Sequence, residues 1–214
     1  MFGDKVMLIT KSNYLEYTDI SNIIKEKVKR NEITFTQWSD ILRFNLLKNN
    51  GGMWIDSTVI LSDSFVNYYK RVKSNDFFSI SSNDLDYHCI SHSLWTGWLC
   101  GGKPGYDLFC FMDEFFKIYF RNHQKNIDYY LIDDAIYFYY KTYLSFRKTI
   151  KQQQANWDPY LFAKSYNNRN YKHYIYIFNK QKKYSVQKFS YKDELSKTPE
   201  IGTLFEKILK NRLN

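Results

Sequence analysis

The 214-residue sequence has few prolines (3), glycines (8) and cysteines (3), and it has no long apolar run. An odd number of cysteines without a C-x-x-C pair predicts neither a disulfide framework nor a zinc site, which favours a reducing cytoplasm. No apolar stretch approaches the roughly 20 residues that span a bilayer. The first residues also lack the small-residue cleavage site of a signal peptide. We therefore expect a cytoplasmic protein whose contact with a membrane, if it has one, is peripheral and at the inner face.

What the sequence does contain is a balanced composition with an excess of positive charge. Hydrophobic residues make up 44% and charged residues 25%, which predicts one folded domain over residues 1–214. The net charge of +9 favours polyanionic partners such as nucleic acid, an acidic membrane surface or a phosphate-bearing substrate, although such a charge more often marks only a solvated basic surface. A basic nucleic-acid-binding module is thus one alternative, but the sequence has no RNP, KH or helix-turn-helix pattern.

The apolar periodicity predicts an α/β fold with a largely parallel sheet flanked by helices. Strands are expected at 6–10, 53–61, 77–81, 94–100 and 174–178, with a short extended piece at 188–191. Helices are expected at 20–30, 36–48, 106–120, 128–146 and 202–213.

Residues 39–61 carry the chemistry, because they join a helix to a strand with charged side chains at the junction. Asp40 and Arg43 are three positions apart and are therefore neighbours on one helix face. The helix stops at Gly51-Gly52, and the following apolar strand contains one carboxylate, Asp56. Arg binds phosphate with two parallel donors, and Asp binds a divalent ion or ribose hydroxyls. The alternative is a surface ion pair next to an ordinary helix C-cap.

The string S-D-x-L-R, followed by G-G-x-W-I-D-x-T, resembles the signature of the capsular polysaccharide synthesis glycosyltransferases. These enzymes are related to the DXD-containing sugar transferases and to the large clostridial glucosylating toxins. Weaker resemblances follow in the family's order at 93–98, 127–131 and 187–192, so the similarity covers nearly the whole chain. The nucleotide-sugar motif lies at 36–61, and the acceptor-side and C-terminal elements lie at 90–214.

The resemblance implies a GT-A-like, Rossmann-type fold, a nucleotide-diphosphate sugar donor, and Mn²⁺ or Mg²⁺. By motif position, Asp40 would contact the ribose or sugar, Arg43 the sugar or diphosphate, and Trp54 would pack beside the nucleotide. Asp56 matches the first acid of the DXD motif, which contacts ribose or metal. Thr58 stands where many relatives carry the second acid, the principal metal ligand. Metal binding through Asp56 and the diphosphate oxygens, and no metal at all, both remain open.

Further along the chain, five residues are weaker candidates for the site. Lys188 and Ser190 are expected near the leaving diphosphate, or else on the surface. Trp95 and Trp98 are candidates for stacking on an acceptor sugar. As strand residues three apart they would point to opposite faces, so at most one stacks and the other belongs to the core. Asp133 is a candidate acceptor contact, or else a solvated helix residue.

We therefore expect the protein to transfer a hexose from a nucleotide sugar to a growing capsular or surface polysaccharide. The expected donor is a UDP-hexose, and the expected acceptor is lipid-linked or an oligosaccharide. Arg43 and Asp56 would be catalytic and anomeric configuration would be retained, with no nucleophile assigned. The resemblance implies a strand and a helix upstream of the equivalent of 6–10, and we expect that first strand to be missing from this chain. A non-catalytic relative that acts as a scaffold is therefore a second alternative. Nucleic acid is not an expected partner.

Overall fold

A computed structural model describes residues 6–82, 89–125, 127–153, 157–190 and 199–210. Within these ranges the helices are α1 (Tyr14–Tyr17), α2 (Asn22–Lys29), α3 (Phe35–Asn50), α4 (Phe65–Val72), α5 (Asp107–Asn122), α6 (Leu131–Thr142), α7 (Leu144–Gln152), α8 (Leu161–Lys164), α9 (Tyr171–Lys180) and α10 (Leu204–Leu209). A 3₁₀ turn covers Lys182–Tyr184. The strands are β1 (Gly52–Ile55), β2 (Val59–Leu61), β3 (Phe77–Ser79), β4 (Leu99–Gly102) and β5 (Val186–Lys188).

The strands form two small sheets. One has the order β1-β4-β3 and the other pairs β2 with β5. All of these pairings are antiparallel, and the parallel contact in the described residues is the isolated bridge between Ser82 and Trp157. The mixed α/β class is confirmed. A parallel Rossmann-type sheet is not shown in the described part of the chain, and the GT-A fold stays a prediction.

Helix α3 carries the first half of the motif, and its ends are fixed by local chemistry. Thr34 and Gln37 form a capping box, in which each side chain accepts from the backbone N–H of the other residue. At the other end Gly51 has φ +64°, a left-handed conformation that favours glycine, and a Cβ there would lie 2.6 Å from Pro104. The chain therefore turns sharply out of α3 into β1.

Helix α3 packs on α5 in the main hydrophobic core, together with side chains from α2 and α6.

A polar cluster lies beside this core. Asn45 is fully buried and donates to Asp19 and Asp113, each at 2.7 Å. Lys48 and Lys117 both bind Asp113 at 2.7 Å. Because every member has an opposite or polar partner, the cluster ties α3, α5 and the segment before α2 together without an uncompensated buried charge.

Residues 6–10, predicted as a buried strand, have an irregular conformation, and Val6 and Leu8 are exposed. The Asn13 side chain donates to the carbonyl of Leu8 and accepts from the N–H of Thr10. These peptide groups are thus satisfied within the segment, and the prediction of a sheet strand here is wrong.

Two of the other predicted elements, at 174–178 and 53–61, also differ from the structure. Residues 174–178 lie inside α9, where Tyr174 and Phe178, four positions apart, pack on Phe162 in a separate apolar cluster. Tertiary packing thus overrides the β-propensity of the sequence YIYIF. The predicted strand at 53–61 is interrupted after Ile55, and its two halves, β1 and β2, belong to different sheets.

Candidate active site

The motif side chains meet where β1 ends and the chain crosses toward β2. The N–H of Asp56 donates to the carbonyl of Trp98 at 2.9 Å, which holds the first residue after β1 against the segment that leads into β4. The N–H of Val59 donates back to the carbonyl of Asp56 at 3.0 Å. The resulting tight turn presents Asp56 and Thr58 between the two sheets.

Arg43 lies between two carboxylates. Its Nη1 donates to Asp40 Oδ1 at 2.7 Å, and its Nη2 donates to Asp56 Oδ1 at 3.3 Å. Only 5% of the Arg43 side chain is exposed. Because the arginine side chain is buried, the interpretation of Arg43 and Asp40 as a surface ion pair is wrong. A buried guanidinium is costly unless it is paired, and here both of its terminal nitrogens are paired.

Trp54 and Gly97 complete the surroundings of the guanidinium. Trp54 Nε1 donates to Asp56 Oδ1 at 2.7 Å, and the Arg43 Cζ lies 5.3 Å from the Trp54 ring centroid, a cation–π distance. A Cβ at Gly97 would lie 3.0 Å from Arg43 Nη1, so the absence of a side chain there makes room for the guanidinium. Trp54 therefore orients the Asp56 carboxylate and also packs against the Arg43 guanidinium.

Lys188 approaches the same carboxylate from β5. Its Nζ lies 3.2 Å from Asp56 Oδ2 and also binds the hydroxyl of Thr58. The pairing of β2 with β5 sets Lys188 opposite Val59. Residues 132 positions apart are thereby joined at one carboxylate, and contact of Lys188 with a diphosphate stays a prediction.

Burial and the neighbouring charges shift the pKa values of the site residues in different directions. Burial opposes the charge of Arg43, but the carboxylates of Asp40 and Asp56 outweigh that cost and raise its pKa. Burial, together with the charge of Asp56, raises the pKa of Asp40 against the lowering effect of Arg43. Burial also raises the pKa of Asp56, but the charges of Arg43 and Lys188 and the hydrogen bond from Trp54 hold it below its usual value. Asp56 is therefore the firmly ionised acid of the site.

Cys100 lies close to the ionic cluster but takes no part in acid–base chemistry. It pairs with Trp54 across β1 and β4, and burial raises its pKa to about 12. A thiol with that pKa stays neutral near pH 7 and acts neither as a nucleophile nor as a thiolate ligand.

Ligand access differs between the members of the cluster. Asp56 has 24% of its side chain exposed, Lys188 17% and Asp40 15%, against 5% for Arg43. A ligand would thus meet the carboxylates and the ammonium first. Direct contact between Arg43 and a donor stays a prediction.

The weaker candidates separate into core and site-edge residues. Trp95 is buried and packs on Tyr140 and Phe146, so it has the core role rather than the sugar-stacking one. Trp98 is half-buried, and its carbonyl binds Asp56, which keeps it as a candidate acceptor contact. Asp133 is buried and its Oδ2 accepts from the N–H of Ser91, so it is not a solvated helix acid.

Ser190 is half-buried and lies two positions after Lys188. The intervening Phe189 donates its N–H to the carbonyl of Thr58 at 2.9 Å. Ser190 is therefore close along the chain to the site, and its contact with a diphosphate stays a prediction.

Sequence reasoning did not single out Gly97 or Gln187. The Gln187 side chain is fully buried, accepts from the N–H of Phe162 and donates to the carbonyl of Asp158, which fixes the strand that carries Lys188. The sequence did offer a signal for Gln187, because it is a polar residue between Lys188 and the apolar Val186. No local signal marks Gly97, because the guanidinium it accommodates comes from a distant helix.

A profile of one protein family, described as capsular polysaccharide synthesis protein, matches residues 1–208. The chain belongs to the capsular polysaccharide synthesis protein family. Membership gives it a role in capsule biosynthesis. No curated protein and no solved structure matches the chain.

Two further observations bear on how this capsular polysaccharide synthesis protein works. Among the described residues, no group of three or more His, Cys, Asp or Glu side chains is arranged to hold a metal ion. Within the same residues, none of the helices combines the length and apolar character needed to cross a bilayer.

Proposed function

We propose that the protein transfers a hexose from a nucleotide-diphosphate sugar, with UDP as the expected nucleotide, to a growing capsular polysaccharide. The observation that carries the proposal is the convergence of Arg43, Lys188, Asp40 and Asp56 at the motif, on three separate elements. Two cations suit a diphosphate, and carboxylates suit the hydroxyls of a ribose or a sugar. Family membership supports the same conclusion.

In this proposal the reaction is driven by stabilising the leaving group. The nucleoside diphosphate gains negative charge as the bond to the anomeric carbon breaks, and preorganised cations lower the barrier most where charge develops. Lys188 meets the diphosphate directly. Arg43 acts mainly as a positioning residue, because it is buried and holds both carboxylates at fixed distances. We propose retention of anomeric configuration and assign no nucleophile.

On the acceptor side, Trp98 is the candidate contact. Its ring lies 6.5 Å from that of Tyr160, with the edge of one ring facing the other, and its carbonyl adjoins Asp56. The Trp98 side chain is half-buried and packs on an apolar cluster, and the exposed part of its indole would suit the apolar face of a sugar. We propose that an oligosaccharide on a lipid carrier binds here.

The proposal is tested by incubating the protein with a panel of nucleotide sugars and detecting slow hydrolysis by mass spectrometry. Release of UDP from one sugar, abolished in a folded Asp56→Asn variant, is the expected result. Binding without hydrolysis of any sugar would instead support the scaffold alternative. A folded protein that binds no nucleotide sugar would refute the proposal.

A further inference from the structure

Asp56, the residue expected to hold a metal, already has its carboxylate surrounded by protein donors. Oδ1 accepts from Trp54 Nε1 at 2.7 Å and from Arg43 Nη2 at 3.3 Å. Oδ2 lies 3.2 Å from Lys188 Nζ. A carboxylate whose two oxygens both accept from the protein, two of the donors being cationic, is a poor ligand for a third cation.

The other oxygen groups near Asp56 do not complete a metal site. The hydroxyl of Thr58 binds the same Lys188 ammonium. Asp40 Oδ1 accepts from Arg43 Nη1 at 2.7 Å, so the second acid of the cluster is also paired. Mg²⁺ is bound through carboxylates and substrate phosphates. The donor set at this site therefore does not fit a dedicated divalent cation while Lys188 is in place.

The position of Lys188 is built into the fold and is not that of a loose surface lysine. Its N–H donates to the carbonyl of Pro159 at 2.7 Å on one side of β5. On the other side, the strand pairs with β2, and the N–H of Phe189 donates to the carbonyl of Thr58 at 2.9 Å. The buried Gln187 side chain anchors the strand from within. The backbone is thus fixed on both sides of the ammonium.

We propose that the Lys188 ammonium is the resident cation of the site and takes the place of a divalent metal in binding the donor diphosphate. The inference rests on the proposed function. Among the described residues the ammonium has two side-chain partners, Asp56 and Thr58, and an ammonium has three donors. The third is available for a phosphate oxygen.

Calorimetric titration of the full chain with UDP, once in EDTA and once with Mn²⁺, tests the proposal. We expect the wild-type Kd to differ less than about twofold between the two conditions. Lys188→Gln should weaken UDP binding in EDTA by roughly tenfold or more, the scale of a lost charge-assisted bond. Added Mn²⁺ should restore part of the binding in that variant, because Asp56 Oδ2 and Thr58 are released. Lys180→Gln, an exposed lysine at the end of α9, is the matched control and should bind as wild type does.

A second measurement does not depend on the variant folding. Titration of Mn²⁺ into the wild-type protein, followed by electron paramagnetic resonance, should show no bound ion at the site without nucleotide. Wild-type UDP binding that is lost in EDTA and regained with Mn²⁺ would overturn the inference and leave the proposed function standing. A folded protein that binds no nucleotide sugar or UDP under either condition would instead refute the proposed function, and the inference would fall with it.

Discussion

The guanidinium of Arg43 and the carboxylate of Asp56 form an ion pair, with Nη2 and Oδ1 3.3 Å apart, in surroundings that leave 5% of the arginine side chain exposed. The pair links the helix that begins the motif to the turn that ends it. Because Asp40 takes the other nitrogen at 2.7 Å, the planar guanidinium is held at two points. That geometry requires a fork of donors, which lysine does not have.

Arg43→Lys should therefore fail to restore the site. Lysine lacks the planar pair of nitrogens that reaches Asp40 and Asp56 at once, so we expect one of the two carboxylates to lose its bond to residue 43. We expect UDP affinity to fall roughly tenfold and unfolding free energy to fall by about 1–3 kcal/mol. Calorimetry and urea denaturation measure the two effects. Arg169→Lys is the control, since Arg169 is exposed and its contact to Glu200 is 3.5 Å long. Unchanged affinity and stability in Arg43→Lys would show that the fork is not required.

Gly97→Ala should perturb the same guanidinium from a different direction. The new Cβ would lie 3.0 Å from Arg43 Nη1 and 3.1 Å from Ile132 Cδ1, so one side chain has to shift. We expect a loss of about 1 kcal/mol in stability and a several-fold weaker affinity for UDP. A double-mutant cycle with Arg43→Lys checks the cause, because the Nη1 atom is then absent and the Gly97→Ala change should cost less. Simple additivity of the two changes would contradict this account.

The stability contributed by Asp56 should depend on pH with a defined sign. Its pKa is held below the usual value by Arg43 and Lys188, against the effect of burial. Its contribution is therefore complete above the unfolded-state pKa of about 4 and is lost as the pH falls through the lower folded-state pKa. We expect the difference in unfolding free energy between wild type and Asp56→Asn to be constant from pH 5 to 7. Below pH 4 it should shrink, as measured by urea denaturation. A difference that grows toward acid would contradict the assignment.

Asp113→Asn should destabilise the fold without affecting the site. Asp113 is buried and binds Lys48 and Lys117, each at 2.7 Å. Lys48 keeps Asp19 as a partner, so we expect a loss of about 2 kcal/mol rather than the larger cost of an isolated buried charge. Glu114→Gln on the same helix is the control, since Glu114 is exposed and lies 3.7 Å from Lys117, and it should change stability by less than about 0.5 kcal/mol. A change in UDP affinity of folded Asp113→Asn would show that the cluster reaches the site.

Binding to anionic lipid vesicles should follow from the distribution of charge. Residues 135–190 contain eleven Lys or Arg and one acid, Asp158, so this segment has a net charge of +10 against +9 for the whole chain. Each basic residue near an anionic surface contributes about 1 kcal/mol. We expect co-sedimentation with phosphatidylserine vesicles that is lost at high salt, and none with neutral phosphatidylcholine vesicles. Preferential binding to duplex or single-stranded nucleic acid over these vesicles would favour the nucleic-acid alternative instead.

Several features of the site could be predicted because they depend on neighbours along the chain. Gly51 ends α3, and the three-residue spacing sets Asp40 beside Arg43. Such interactions depend on backbone geometry within one or two helical turns, so the residues themselves specify them. The motif and the family followed from the same short stretch.

Tertiary structure alone decided the rest. Nothing local distinguishes a surface Asp40–Arg43 pair from a buried one, and the distinction depends on Asp56, Trp54 and Gly97 closing around the guanidinium. The antiparallel pairing of β2 with β5 was likewise not evident, because strand pairing between distant segments is set by packing and chain topology rather than by the alternation within either strand. The contact of Lys188 with Asp56 depends on that pairing and on the buried Gln187. The sequence thus determined which groups the site contains, whereas the fold determined that one carboxylate would be shared by an arginine, a tryptophan and a lysine.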